Sequence, residues 1–518
     1  MPDRKTFYVT TPIYYVNDSP HIGHAYTSLA CDALARFMRL DGYDVHFLTG
    51  TDEHGQKVEK SAKQAGKDPQ AFTDDVSQRF RLLAEAMNFS HDDFIRTTER
   101  RHIESCQELW RRLKERGQIY LGSYSGWYAV RDEAYYQEDE LETRPDGKKV
   151  ARASGAEVEW VEEPSYFFQL SAWQEPLLEF YAAHPDFIAP ETRRNEVVSF
   201  VKQGLKDLSV SRTTFKWGIP VPDDADHIMY VWLDALTNYI TAVGFPETGK
   251  ASYLKFWPAD LHMVGKDILR FHAVYWPAFL MAAGLEPPKR VFAHGWWTNE
   301  GQKISKSVGN VIEPHALIER YGLDQVRYFL LREVPFGNDG DFSHRAIVHR
   351  MNGDLANGLG NLAQRVLSMI NQYFDAKVPH HQALTEADEA LLASAHALLP
   401  SLRPLMQAQL FNRALEAIWQ VVGDANRYMD EQAPWSLRKT DLARAGTVLY
   451  VLAETIRHLG LAMQPFMPHS GTRILDQLSV WVDNRNFAAA GPQHALQAGV
   501  PLPKPEGVFP RFVEETVE

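Results

Sequence analysis

In the stretch SPHIGHAYTSLACDALARF, residues 19–37, a proline is followed by two histidines, His21 and His24, three apart around Gly23. From Ile22 onward, Tyr26, Leu29, Ala33, Leu34 and Phe37 recur at steps of three or four, the spacing of an amphipathic helix. Ser19 is the expected N-cap and Pro20 the expected first helical residue. Upstream, TFYVTT (6–11) carries the β-branched and aromatic residues of a strand, with PIYYVNDSP as the connecting loop. Downstream, DG closes the helix and YDVHFLTGTDEHG (43–55) reads as a buried strand running into a polar loop. Strand, helix and strand make a βαβ unit. The helix start and the loop at 49–55 should therefore share the carboxyl edge of a parallel sheet, where such folds bind ligands.

A helix N-terminus offers free N–H groups and partial positive charge, which suit phosphate. His21 and His24 stand on neighbouring positions of that turn and can each donate to a phosphate oxygen. Gly23 lets a flat base or a phosphate chain approach the backbone. The same residues also admit a packing role or, with Asp52 and His54, a metal site. A second constellation, GQKISKSVGN (301–310), sets Lys303 and Lys306 three apart between Gly301 and Gly309. A lysine loop hinged by glycines suits closure over a polyphosphate whose leaving group gains charge. Alone it reads first as a solvated surface loop. Together the two constellations favour phosphate chemistry, because a metal site leaves the lysines unexplained.

The chain has 518 residues, too many for one core, so roughly two to four domains are expected. Its only cysteines, Cys31 and Cys106, exclude a disulfide framework and fit a reducing compartment. No apolar stretch reaches membrane-spanning length, and MPDRKTFYVTTP lacks the apolar core of a signal peptide, so a cytoplasmic protein is expected. The formal charge of −13 argues against broad nonspecific nucleic-acid binding, while leaving room for a local basic surface. The expected fold class is α/β: a Rossmann-type parallel-sheet catalytic domain with an inserted, mostly β module, followed by an α-helical bundle. Its first half covers 1–118, with helical patterns from about 69 to 117. The inserted module covers 119–225, where YLGSYSGWYAVRDEAYYQEDEL alternates aromatic and polar residues. The second half covers 226–290 and the lysine-loop region 291–345. HIMYVWLDALTNYI (227–240), LHMVGKDILRFH (261–272) and RVFAHGWWTNEGQKISKS (290–307) are read as further sheet segments. The bundle covers 346–490, and PLPKPEGVFP belongs to an extended strap over 491–518.

HIGH and KISKS resemble the two signature sequences of class I aminoacyl-tRNA synthetases. TPIYYVNDSPHIGHAY, GTDEHGQK, YVWLDALTNYI, VGKDILRFHAVYWPA and DEQAPWSLRK extend the resemblance, along nearly the whole chain, to the methionyl-tRNA synthetase family within that class. Ile304 stands where that family often has methionine, and the position is apolar either way. The resemblance implies ATP-dependent activation of L-methionine to methionyl-adenylate, then transfer to the CAU-anticodon methionine tRNAs, initiator and elongator. It implies ATP binding by His21, Gly23, His24, Gly265, Asp267, Lys303 and Lys306, with His21, His24, Lys303 and Lys306 catalytic. Mg2+ would accompany ATP, held mostly through phosphates and water. Positioning and charge stabilisation suffice, so no protein nucleophile is required.

Methionine needs an anion for its ammonium and a soft apolar pocket for its thioether. Asp52 is the expected anion. The resemblance places the pocket at Ile13, Tyr15, Trp232, Ala235, Leu236, Tyr239, Ile268 and His272, where aromatic faces suit sulfur. A methylene-scale difference gives only ~1–3 kcal/mol of discrimination, so homocysteine and norleucine should be imperfectly excluded. For the bundle, the resemblance implies anticodon contacts by Asn361, Arg365 and Trp435, with Asn426 and Arg427 in support. An amide, a guanidinium and an indole suit unstacked bases. Without the resemblance, Trp435 reads as a core residue and Arg365 as a surface one. The resemblance also implies that the region 291–345 contacts the tRNA stem. Many family members carry C-x-x-C zinc knuckles in the insertion. This chain has no cysteine after Cys106, so no structural zinc is expected, and Tyr124, Trp127, Tyr128, Tyr135 and Tyr136 would supply the packing instead. A monomer is expected, since nothing after the bundle resembles a dimerisation module.

Overall fold

Phe7, Tyr8 and Val9 lie at the centre of the strand Thr6–Thr10, whose last three residues are wholly buried; aromatic and β-branched side chains favour this pleated, packed setting. The computed structural model describes residues 5–16, 19–132, 134–304 and 311–514, and for Tyr124 and Lys303 the backbone alone. Thr6–Thr10 sits inside a parallel sheet ordered Ile188–Ala189, Val291–His294, Leu261–Gly265, Thr6–Thr10, Asp44–Asp52, Tyr14–Tyr15, with Asp93–Arg96 also paired to Asp44–Asp52. The order reverses beside Thr6–Thr10: the chain first adds Asp44–Asp52 on one side and later Leu261–Gly265 on the other. That reversal opens a crevice at the carboxyl ends of the strands.

The sheet corrects several sequence expectations. Ile188–Ala189, inside the segment assigned to the insertion, runs as the sheet's edge strand, and Val291–His294, assigned to the lysine-loop region, is its neighbour. Asp93–Arg96 is a strand within what reads as continuous helix. Val231–Thr241 is a helix, although its valine, tryptophan, tyrosine and isoleucine carry strand propensity. The insertion itself is built on the long antiparallel pair Ile119–Ala129 and Glu159–Phe168; helix Gln174–Ala183 leads from it to the edge strand Ile188–Ala189, and helix Glu191–Lys202 leads on from that strand to Leu208–Ser209, which pairs again with Glu159–Phe168.

One packing centre of the insertion is Arg212, which is 1% exposed. Its guanidinium lies 4.2 Å from the ring centre of Tyr128, 5.1 Å from Tyr135 and 5.5 Å from Tyr230, and it is ion-paired with Glu163. Trp127 packs edge-on against Trp160 at 5.4 Å. Among the described residues, the His, Cys, Asp and Glu groups close enough to share an ion are His102–Cys106–Asp234 and His396–Glu454–His458, and neither lies in the insertion. No cysteine follows Cys106, so metal analysis of purified protein is expected to return far less than one zinc per chain. Stoichiometric zinc would contradict this account of the module.

The bundle comprises Asn361–Tyr373, Glu386–Gln407, Phe411–Gln432, Leu442–Met463 and Pro468–Gln477. Its apolar interior is continuous with that of the helix Ile22–Leu40. A buried ion pair joins the two: Arg327 donates to Asp32 at 2.7 Å and also to the carbonyls of Met87, Pro465 and Phe466. Removing one partner of such a pair leaves a buried charge and costs about 3–5 kcal/mol. The C-terminal strap lies across the bundle, pairing at Val378–Val500 and Ala376–Leu502. Among the described residues no helix is long and apolar enough to cross a membrane.

Candidate active site

The helix after the first strand is Ile22–Leu40, and its N-cap is His21, not Ser19. The Ser19 hydroxyl instead accepts a hydrogen bond from Arg79 at 3.2 Å. His21 and His24 cap the helix reciprocally: His21 Nδ1 accepts from Gly23 N–H at 3.0 Å, and His24 Nδ1 accepts from His21 N–H at 3.1 Å. With both Nδ1 atoms acting as acceptors, each neutral ring carries its proton on Nε2. Burial pushes both imidazoles below their ordinary value, His24 well below, with His21 adding to the shift of His24. The pair thus presents two neutral N–H donors at a helix start. Gly23 is required by this cap, since a Cβ there would stand 2.9 Å from the His21 ring.

Lys306 lies outside the described residues, as does the side chain of Lys303. What flanks the loop is described. Trp297–Asn299 and Gln302–Lys303 form a hairpin whose turn holds Gly301 at φ 76°. Beyond the loop, the carbonyl of Ile312 accepts from Ile22 N–H at 3.2 Å. Ile304 and Val311, on either side of the loop, line a cavity of about 520 Å³ with His21, Gly23, Tyr26 and Trp297. The far flank of the lysine loop is therefore hydrogen-bonded to the opening turn of the histidine helix, and its near flank borders the same cavity.

A second cavity, of about 390 Å³, lies in the crevice at the strand ends. It brings together Asp52, Ile13, Tyr15, Trp232, Ala235, Leu236, Tyr239, Ile268 and His272 with His21, Gly23, His24, Gly265 and Asp267. His54 is not among them. It faces Asp234, which removes it from the metal set formed with His21, His24 and Asp52. Sequence reasoning missed Tyr14, Thr27, Lys57, Arg131, Asp132, His294 and Trp296 in the wall. His294 and Trp296 had a signal, the FAHGWW segment just ahead of the lysine loop. Arg131 and Asp132 reach the cavity from the insertion, a long-range contact with no local trace.

The cavity's apolar end is uncharged. His272 donates from Nδ1 to the carbonyl of Ile268 at 2.9 Å, so its Nε2 accepts from the Tyr239 hydroxyl at 2.6 Å. Burial lowers the His272 imidazole to about 4, which keeps it neutral at pH 7. Trp232 stacks on Phe271 at 3.5 Å, fixing its ring. At the other end, Asp267 accepts from Trp296 Nε1 at 3.1 Å and folds back over Gly265, where a Cβ would stand 2.5 Å from its carboxylate. Asp52 is 6% exposed, and burial strengthens the attraction of its carboxylate for a cation.

In the bundle, Arg365 and Trp435 come together, the guanidinium lying 5.1 Å from the indole centre. Trp435 is 36% exposed, so it is a surface platform and not a core residue. Asn361 is exposed one turn from Arg365 on the same helix. Asn426 is engaged by backbone carbonyls, including Val422 at 2.9 Å, whereas Arg427 is exposed near Asp424.

The model for tRNA synthetases class I (M) matches residues 7–367, and that for the anticodon binding domain of methionyl tRNA ligase matches residues 378–518. Methionine–tRNA ligases of Mesorhizobium japonicum and Brucella suis are each 58% identical, over 512 and 513 residues, covering 99% of both chains in each comparison. The solved structure of Mycobacterium tuberculosis methionyl-tRNA synthetase in complex with methionyl-adenylate superposes with a TM-score of 0.96 at 56% identity, covering 98% of this chain and 100% of that one. Its apo form superposes with a TM-score of 0.90 at 52% identity, covering 99% of each.

Proposed function

The chain belongs to the methionyl branch of the class I tRNA synthetases, and from that membership we propose which of its residues carry each step. The reaction is activation of L-methionine by ATP to methionyl-adenylate, followed by transfer of the methionyl group to tRNA. The observation that carries the assignment of roles is the single crevice holding a buried carboxylate, a neutral aromatic pocket and two helix-start imidazoles.

Asp52 binds the methionine ammonium, and Ile13, Tyr15, Trp232, Ala235, Leu236, Tyr239, Ile268 and His272 enclose the thioether. ATP enters as its magnesium complex. Its phosphates accept from the Nε2–H groups of His21 and His24, its ribose lies over Gly265 and Asp267, and its base takes the cavity beside Gly23, Tyr26 and Trp297. A methionine carboxylate oxygen attacks the α-phosphorus, the bond to the β-phosphate bridging oxygen breaks, and pyrophosphate leaves with the developing charge. Lys303 and Lys306 meet that charge. The tRNA 3′-terminal hydroxyl then attacks the methionyl carbonyl and AMP departs. We place the protein in the cytoplasm as a monomer.

Asn361, Arg365 and Trp435 read the CAU anticodon, with Arg427 nearby. Trp435→Ala should lower tRNA charging roughly 5- to 150-fold, from ~1–3 kcal/mol of lost base stacking, while methionine-dependent ATP–pyrophosphate exchange stays intact. Thermal unfolding of the variant accompanies the kinetics, because the indole is about two-thirds covered and gives up packing as well as its cation–π contact with Arg365. A stable Trp435→Ala protein that charges tRNA like wild type would refute the anticodon role.

A further inference from the structure

Asp52 ends its strand, and the next two residues turn away from the cavity into separate clamps. Glu53, wholly buried, accepts from Arg96 at 2.7 and 2.9 Å and from Thr98 at 2.6 Å. The indole of Trp217 donates to the Glu53 carbonyl at 2.6 Å and stands edge-on to His54. His54 Nδ1–H donates to Asp234 Oδ2 at 2.6 Å. Asp234 lies on the first turn of Val231–Thr241, the helix that presents Trp232, Ala235, Leu236 and Tyr239 to the cavity. It is 1% exposed, and its other oxygen accepts from His102 Nε2 at 2.8 Å. Burial alone would raise this carboxyl; His54 and His102 outweigh it and hold it at about 2.

Cys106 Sγ stands 3.2 Å from His102 Nε2. Burial and Asp234 push its thiol well above the ordinary range. None of these side chains lines the cavity. Their geometric effect is to join two elements that do: the strand end carrying the ammonium anchor and the helix carrying the side-chain pocket.

We propose that Asp234, bridged by His54, is a positioning residue for methionine: it fixes the separation between the Asp52 carboxylate and the pocket helix. The ammonium and thioether of one amino acid span a fixed length, so a pocket that binds both needs its two halves at a set distance. The inference rests on the reading of Asp52 as the ammonium anchor. Binding lost through misplacement is lost equally in ground and transition states, so KM rises while kcat holds. Weakening a buried charge contact of this kind can cost up to ~10²-fold in affinity.

The test is steady-state ATP–pyrophosphate exchange on four full-length variants. Asp234→Asn should raise the KM for methionine roughly 10- to 100-fold, part of what loss of the buried charge contact would cost, with the KM for ATP and kcat within about twofold of wild type. His54→Leu should do the same. His54→Asn keeps an N–H donor on the same branch as Nδ1 and should restore most of the lost affinity. Asp52→Asn is the fourth variant, run in parallel. Unchanged methionine KM in Asp52→Asn would overturn the anchor reading. A raised KM there, with wild-type KM in His54→Leu, would overturn the clamp alone. A fall in kcat and melting temperature at constant KM would also overturn it, since that marks a merely structural role. If Asp234→Asn yields no folded protein, the two His54 variants decide the matter.

Discussion

Asp52→Asn should raise the KM for methionine by about 30-fold or more. Truncating one partner of a buried, hydrogen-bonded charge pair costs about 2–5 kcal/mol, much of it from leaving the other charge buried and unpaired. Here the charge left behind is the substrate's own ammonium, in a crevice whose far wall is aromatic and neutral. The substitution keeps the side-chain shape, so the fold should hold. At saturating methionine, kcat should fall far less, because the anchor serves ground and transition states alike. Exchange kinetics over a wide methionine range measure both quantities. An unchanged KM would place the ammonium elsewhere.

Lys306→Ala should act in the opposite sense. Methionine affinity should stay close to wild type while single-turnover adenylate formation slows on the order of 10²-fold, or about 3 kcal/mol. A charge that matters as pyrophosphate departs stabilises the transition state and not the bound ground state. The anchoring of the loop supports this: Ile312 is hydrogen-bonded to Ile22, and Ile304 and Val311 share a cavity with His21. Quenched-flow measurement of adenylate formation, with methionine binding followed separately, checks both halves. An undiminished rate would remove Lys306 from the leaving-group site.

Local signals made the first βαβ unit legible, since strand, turn-rich loop and helix follow one another within a few dozen residues. The cap went to the wrong residue because Ser19 has the right chemistry but is held by Arg79, and because two histidines that cap one another match no common capping pattern. Val231–Thr241 is buried on most of its circumference, which hides the helical period and leaves only β-branched and aromatic composition to read. Ile188–Ala189 is too short to show a period at all. The place of Asp52 at the rim of the crevice was legible from its position at the end of a buried strand. That Leu236, Tyr239 and Ile268 line the same cavity was legible only through family resemblance, because they are ordinary core residues to any local pattern. Asp234, His54 and His102 were beyond both routes: their meaning lies in contacts across 132 and 180 residues of chain.

The central claim is that one neutral, sulfur-accepting pocket beside Asp52 selects the amino acid that ATP activates. Amino-acid-dependent ATP–pyrophosphate exchange, run with each of the twenty amino acids and with norleucine and homocysteine, measures it directly. Strong exchange is expected with methionine, weak exchange with the two near-isosteres and background with the rest. Exchange driven better by another standard amino acid, or none with methionine, would contradict it.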